Sequence, residues 1–198
     1  MGRRVRDERR EKREDYAAKI SKSKRKTNLM AASILAVLVL IVGYTGYLFM
    51  TMDATAPGAP PGAGKLGGEH EHASLLVRIF GDKLDFASPA YQIKSSWIHF
   101  EDSDGTTIHR HSSGVTLGYL FNSMGFTVND ECFAFPDGRE FCTNEDYSLK
   151  HYINHQSVGN IYDYVLEDGD RILISFGPET PEEIEGQLIE LDSQIIKG

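Results

Sequence analysis

The most regular hydrophobic pattern in the chain is an uninterrupted apolar stretch near its start. Residues 29–50 carry no charge and consist almost entirely of apolar side chains. Helical residues rise about 1.5 Å each, so this stretch is long enough for the roughly 30 Å hydrocarbon core of a bilayer. Tyr44, Tyr47 and Phe49 collect at its distal end, where aromatic rings favour the membrane interface. The pattern predicts one transmembrane helix over residues 29–52.

A cleaved signal peptide is the alternative interpretation of this stretch. Signal peptides have a shorter apolar region, and a small-residue cleavage site follows it. The charge on the two sides favours a membrane anchor instead. Residues 1–28 hold 12 basic and 5 acidic residues, a formal charge of +7, whereas residues 53–198 hold 9 basic and 24 acidic residues, a charge of −15.

This asymmetry predicts the orientation of the chain in a cell membrane. Basic residues beside a membrane span stay on the cytoplasmic side, so residues 1–28 are expected to be a cytoplasmic tail and the acidic part to be extracytoplasmic. We expect the lipid bilayer as a partner and no nucleic acid, because no folded nucleic-acid-binding module accompanies the basic block. The acidic outer part should attract cations in general.

The pattern beyond the apolar stretch predicts a linker and one small domain. Residues 53–68 are rich in Pro, Gly and Ala without an apolar period, which is typical of a mobile linker. Residues 69–177 contain several short strand-like runs, two of them joined at Gly81-Asp82. One segment instead has helical spacing and ends at Gly125: Leu117, Leu120, Phe121, Met124. An α+β domain with one central helix on a mixed sheet is expected.

The last segment, residues 178–198, has the pattern of an amphipathic helix. Thr180 and Glu183 form a capping-box signature, and Pro181 occupies the first helical position. The apolar stripe of this helix consists of Ile184, Leu188, Leu191, Ile195. We expect the helix to pack on the domain or on a partner in a membrane protein complex.

The two cysteines flank a turn sequence. If Pro136, Asp137 and Gly138 form a three-residue hairpin loop, Cys132 lies directly opposite Cys142, at a spacing where a disulfide can close. Thiols outside the cytoplasm oxidise, so a structural disulfide is expected. A redox-active pair is the alternative, although the sequence has no Cys-X-X-Cys motif.

Five of the seven histidines lie in three short stretches of the domain. His109 and His111 are two residues apart, so they point to the same face of a strand. If Ser103-Asp104-Gly105 is a three-residue loop, His99 lies directly opposite His109 and the three imidazoles form a triangle. A loop of two or four residues would turn His99 away from the pair.

This triangle predicts a transition-metal site. Imidazoles are good ligands for zinc and copper, and His70, His72 or the carboxylate of Glu101 can add a further ligand. The predicted cofactor is therefore a copper or zinc ion bound by His99, His109, His111, His70, His72. The alternative is that these imidazoles face solvent or bond to backbone carbonyls. His151 and His155 are expected at the surface.

Two resemblances to known protein groups add to these predictions. The stretch "VLEDGDRILIS" is similar to the last strand of ubiquitin-like sulfur carriers, and one helix on a mixed sheet is similar to a β-grasp domain. Those carriers react through a C-terminal Gly-Gly, whereas this strand leads into a further helix, so carrier chemistry is not implied.

The second resemblance covers most of residues 69–177. The stretches that carry it are "HEHASLLVRIFGDKLDF", "YQIKSSWIHFEDSDGTTIHRHSSGVTLGYLF", "CFAFPDGREFC" and "DYVLEDGDRILISFG". They resemble a group of membrane-anchored archaeal proteins that are sometimes labelled protein-disulfide isomerase. The label implies thiol-disulfide exchange through Cys132 and Cys142. Our sequence-based prediction is a metal-binding protein for accessory, storage or delivery roles, with that exchange activity or a non-catalytic interaction subunit as alternatives.

Overall fold

The computed structural model describes residues 2–51 and 58–198. These residues fall into two compact units that divide after residue 53, and each unit is described by itself. Side chains in the first unit are described for most of residues 10–47. The end of the predicted transmembrane segment at residue 52 and the linker residues 53–57 lie outside the described residues.

The first unit is one long helix, α1, which covers Gly2–Thr51. Basic and apolar segments share this helix, and the part from Arg10 to Tyr47 contains a window apolar enough to cross a membrane. The hydroxyls of Ser33 and Thr45 donate to carbonyls one turn earlier, at Leu29 and Ile41, which satisfies polar groups inside the apolar stretch. By length and composition α1 is therefore a candidate membrane span.

The second unit is an α+β domain, as predicted. Its described strands form one seven-stranded sheet and one three-stranded sheet, with the bounds β1 (Glu71–Ile79), β2 (Asp82–Lys83), β3 (Ile98–His99), β4 (Thr107–Arg110), β5 (Thr127–Val128), β6 (Cys132–Ala134), β7 (Glu140–Cys142), β8 (Ser148–Ile153), β9 (Gln156–Ser157) and β10 (Arg171–Gly177). The large sheet has the order β3-β4-β1-β10-β8-β9, and β2 also pairs with β1. Strands β1 and β10 are parallel neighbours, and β1 is antiparallel to β4.

Side chains alternate between the two faces of β1, and each face packs against a different helix and hydrophobic cluster. Ala73, Leu75 and Val77 point into the larger core, which the helix α2 (Leu117–Ser123) also lines. Leu76 points to the other face and packs with Leu173 against the helix α3 (Pro181–Ser193). We call this second side the α3 face, and His72 and Ser74 belong to it by the same alternation.

The predicted helices α2 and α3 have clear boundaries. Thr116 caps the first turn of α2, and Gly125 follows that helix with a φ of +87°, a conformation that glycine adopts easily. At α3 the capping box between Thr180 and Glu183 is present. The apolar stripe of α3 is shorter than predicted, because Ile195 lies beyond the last helical residue and its side chain is 78% exposed.

The cysteine hairpin has the predicted register. The N–H of Phe135 donates to the carbonyl of Arg139 at 2.8 Å, and Gly138 has a φ of +89°, so the loop consists of three residues. Cys132 lies opposite Cys142, with their Cα atoms 4.1 Å apart, and a disulfide joins them. The predicted disulfide is confirmed.

Residues 58–68 lie against the domain, although the sequence pattern predicts them as part of a mobile linker. The N–H groups of Gly64 and Gly67 donate to the carbonyls of Ser113 and His111, at 2.9 and 2.7 Å. Ala63 and Leu66 pack on the larger core. These contacts bring the chain past His111 before it enters β1.

Candidate metal centre

Three adjacent strands at one edge of the large sheet position the histidines. His72 on β1 lies directly opposite His109 on β4, and His99 on β3 lies opposite His109 from the other side. Directly paired residues point to the same face of a sheet, so these three side chains lie on the α3 face. The predicted pairing of His99 with His109 is therefore confirmed.

The loop that connects β3 and β4 differs from the predicted three-residue turn. Asp102 and Ser103 have left-handed φ values of 55°, and the N–H of Asp104 donates to the carbonyl of Glu101. The carboxylate of Asp104 turns inward and accepts from the backbone and hydroxyl of Thr106 and from the hydroxyl of Thr107. The predicted register of β3 and β4 is retained because these hydrogen bonds, rather than a compact turn, hold the loop.

Five imidazoles form a closed ring on this part of the domain, which we call the histidine ring. Going around it, the distances between neighbouring ring centroids are 4.6, 4.6, 4.9, 6.1 and 4.8 Å in the order His72, His70, His111, His99, His109 and back to His72. All five histidines of the sequence-predicted set therefore lie together. Exposure varies around the ring: His70 is exposed, whereas His99 and His109 are buried.

Within the histidine ring, one trio can hold a metal ion directly. Ligand nitrogens of His70, His72 and His109 all lie within 4.8 Å of one another. Ligands of a tetrahedral zinc ion are about 3.3 Å apart, which follows from a Zn–N bond of about 2.0 Å, so small side-chain rotations complete such a site. This trio differs from the predicted leading set, in which His99 and His111 accompanied His109.

Two ring nitrogens of the cluster lack hydrogen-bond partners among the described residues. Among the described residues, Nε2 of His72 and Nδ1 of His109 are buried without a hydrogen-bond partner. Nδ1 of His72 lies 3.6 Å from the carboxylate of Asp168, whose Oδ1 also accepts the backbone N–H of His72 at 2.9 Å. A carboxylate behind one ring nitrogen orients the imidazole and leaves the other nitrogen for a metal.

His99 is held more firmly than its neighbours. Its Nδ1 lies 2.7 Å from the carbonyl oxygen of Ser95, and its Nε2 lies 3.2 Å from Oε2 of Glu101. The other oxygen of Glu101 lies 3.5 Å from Nδ1 of His109. The hydrogen bond with His99 lowers the pKa of Glu101, so this carboxylate is ionised at neutral pH.

Burial also determines the charge of the imidazoles. It lowers the pKa values of His109 and His111, and repulsion from neighbouring histidines lowers them further. Neutral imidazole is the form that binds metal ions. At neutral pH these two residues are therefore prepared for coordination without first releasing a proton.

The segment after α3 closes one side of the cluster. The backbone N–H of Lys197 donates to the hydroxyl of Thr107, and its ammonium group lies 3.1 Å from Asp104. Gly198 packs directly on the imidazole of His72, since a Cβ at this glycine would lie 2.8 Å from that ring. A cavity of about 140 Å³ remains between this segment and the strands, lined by Glu101, Asp102, Asp104, His109, Lys197, Gly198.

The remaining two histidines lie outside the cluster. His155 is exposed as predicted and pairs with Asp192 at 2.9 Å. The prediction for His151 is wrong: it is only 3% exposed on β8, and burial lowers its pKa. It lies on the same face of the strand as Leu149 and Ile153, and this alternation places it inside the larger core.

Sequence reasoning missed two residues that support the cluster, Asp168 and Ser95. Asp168 reaches His72 because the turn before β10 lies beside the start of β1, its parallel neighbour. Its only sequence signal is an Asp-Gly-Asp turn that directly precedes a strand. Ser95 acts through its backbone carbonyl, which no residue pattern reveals.

Comparisons with protein-family models, with curated proteins and with solved structures find no match for this chain. The assignment of a function therefore depends on the geometry of the histidine ring.

Proposed function

We propose that this protein is a membrane-anchored, extracytoplasmic metal-binding protein that holds a copper or zinc ion in its histidine ring, as an accessory, storage or delivery protein. The observation that supports it most is the convergence of His70, His72 and His109, whose ligand nitrogens lie within 4.8 Å of one another. Nε2 of His72 is buried without a hydrogen-bond partner among the described residues, which points to the same role.

The choice of copper or zinc follows from the ligand type. Imidazole nitrogen is a common ligand for both ions, whereas calcium and magnesium prefer oxygen. The trio also resembles the three-ligand sets that leave a coordination position open. Exposed His70 on one side and buried His109 on the other give an ion a route from solvent, which suits loading and release.

Membrane anchoring and orientation belong to the same proposal. The apolar part of α1 is compatible with a bilayer span, and the basic residues on its N-terminal side favour a cytoplasmic N-terminus. The sheet order supports a β-grasp-like description of the domain, because two parallel central strands, β1 and β10, are flanked by antiparallel ones.

The alternatives from sequence remain predictions with less support. Thiol-disulfide exchange rests on the pair Cys132 and Cys142, which lies in a separate hairpin of the domain. An interaction subunit was expected to use the apolar stripe of α3. That stripe is already covered, because Ile184, Leu188 and Leu191 are buried against the sheet of the same domain.

Metal content of the full chain tests the proposal. The protein is purified in detergent without a histidine tag or chelator, offered Zn²⁺ or Cu²⁺ separately, desalted and subjected to elemental analysis. At least one ion per chain is expected. A variant with His70→Ala and His72→Ala should lose the ion at the trio, whereas the exposed His155→Ala variant should bind like the unmodified protein.

Circular dichroism of each variant shows whether the fold persists. Trace metal in the unmodified protein after exposure to both ions would contradict the proposal. So would equal metal content in the unmodified protein and the folded double variant.

A further inference from the structure

The contacts around Glu101 point to a second cation position beside the trio. The carbonyl oxygen of Ser95 can only accept a hydrogen bond, so Nδ1 of His99, at 2.7 Å, carries a hydrogen. Nε2 faces Oε2 of Glu101 at 3.2 Å, and a carboxylate oxygen accepts but does not donate. The contact is therefore favourable only with a proton on Nε2 or a metal ion between the two atoms.

The other oxygen of Glu101 faces a second ring nitrogen. Oε1 lies 3.5 Å from Nδ1 of His109, which is buried and has no hydrogen-bond partner among the described residues. His109 is 6% exposed and His99 is 7% exposed, so both nitrogens are shielded from solvent. A proton on His99 would satisfy only one of these contacts, whereas a metal ion at the centre contacts all three groups.

A cavity lies beside this position, against two of the three groups. Glu101 and His109 line the cavity of about 140 Å³, which exceeds the roughly 30 Å³ that one water molecule occupies in the liquid. Asp104 lines the same cavity, but its oxygens already accept from Thr106 and Thr107 and pair with Lys197. The ligand set is therefore two imidazoles and one carboxylate, as in several zinc sites.

We propose that the histidine ring binds two transition-metal ions and that His109 bridges them. One ion takes His70 and His72 with one nitrogen of His109, and the second takes His99, Glu101 and Nδ1 of His109. The second metal ion displaces the ring proton of His109, which is released to water, so both nitrogens of one residue bind metal. This inference rests on the proposed metal-binding function, which it extends from one ion to two.

Copper titration of the full chain in detergent tests the second position. The unmodified protein is expected to bind two Cu²⁺ ions per chain, and the substitution Glu101→Gln should reduce this to one. Glu140→Gln, which changes an exposed carboxylate on β7, is the matched control and should still bind two. The variant with His70→Ala and His72→Ala should retain the single ion at Glu101.

Electron paramagnetic resonance gives an independent readout of the bridge. Two Cu²⁺ ions that share one imidazole couple magnetically, so the signal per copper should fall when the second equivalent binds. In Glu101→Gln the signal per copper should stay constant up to one equivalent. Copper is added to metal-free protein whose fold has been verified by circular dichroism.

The outcomes separate this inference from the proposed function. One ion in the unmodified protein, retained in Glu101→Gln and lost in the double histidine variant, would overturn the second position and leave the trio intact. Two ions in a folded Glu101→Gln variant would also overturn it. No ion in the unmodified protein would overturn both proposals, and an uncoupled signal at two equivalents would overturn the bridge.

Discussion

Two hairpins in the same domain carry its most distinctive side chains, and they differ in how complete they are. The disulfide hairpin, residues 132–142, brings Cys132 opposite Cys142 and needs nothing else to form its cross-link. The histidine hairpin, residues 98–110, brings His99 opposite His109, but the ring also requires His72 on β1, His70 just before that strand and His111 just after β4. A pairing within one hairpin is local, whereas a site shared by three strands depends on the sheet.

Removal of the disulfide should have the largest effect on stability. The bond closes a short loop between residues 10 apart in sequence, so its loss in Cys132→Ala, Cys142→Ala should lower the free energy of unfolding by about 2.5–3 kcal/mol. Urea unfolding of the two proteins measures this difference. Metal content should not change, because the hairpins are separate; a parallel loss of metal would show that the disulfide hairpin supports the histidine ring.

Loss of Asp104, the buried carboxylate in the histidine hairpin, should have the second-largest effect on stability. Burial opposes ionisation of Asp104, but hydrogen bonds from Thr106, Lys197 and Thr107 outweigh it and hold the pKa at about 2, below the ordinary 3.8. Because the folded-state pKa is depressed, its stabilisation is present above pH 4 and is lost as the pH falls towards 2. The substitution Asp104→Asn should therefore cost about 2 kcal/mol near neutral pH.

Urea unfolding over a series of pH values measures this dependence. The difference in unfolding free energy between the unmodified protein and Asp104→Asn should shrink steadily from pH 4 to pH 2. A difference that stays constant over this range would mean that the amide disturbs packing and that the charge contributes little.

Substitutions in the loops of the two hairpins should have the smallest effects on stability. One should lower the free energy of unfolding and the other should raise it. Gly138→Ala places a Cβ in open space, yet a φ of +89° is unfavourable for any residue with a side chain. The free energy of unfolding should therefore fall by about 1 kcal/mol. Ser103→Gly removes the backbone strain of a serine with a left-handed φ, which stabilises the fold. Glycine also gives the unfolded chain more freedom, so the free energy of unfolding should rise by only a few tenths of a kcal/mol. Thermal unfolding of both variants checks the comparison.

A stabilising effect of Gly138→Ala would show that this loop adopts another conformation in solution. A clear loss of stability in the Ser103→Gly variant would show that the hydroxyl of Ser103 itself stabilises the loop. Its backbone N–H donates to Oε1 of Gln92 at 3.1 Å, and this bond is retained in the glycine variant.

The sequence alone was sufficient for features that depend on neighbouring residues. The apolar length of α1, the capping box at Thr180, the helix that ends before Gly125 and the register of the disulfide hairpin all follow from spacing along the chain. The pairing of His99 with His109 was also predicted, but from a three-residue turn that the structure lacks; hydrogen bonds of Asp104 hold the loop in the same register. These features require only local geometry.

The identity of the metal-binding trio was decided by tertiary structure. His72 lies opposite His109 because β1 inserts between β4 and β10, and the parallel pairing with β10 also brings Asp168 to His72. The same sheet places His151 in the core, and the segment after α3 brings Gly198 to the ring of His72. Strand order joins residues that are distant in sequence, so a periodicity predicts which face a side chain occupies but not which neighbours it meets there.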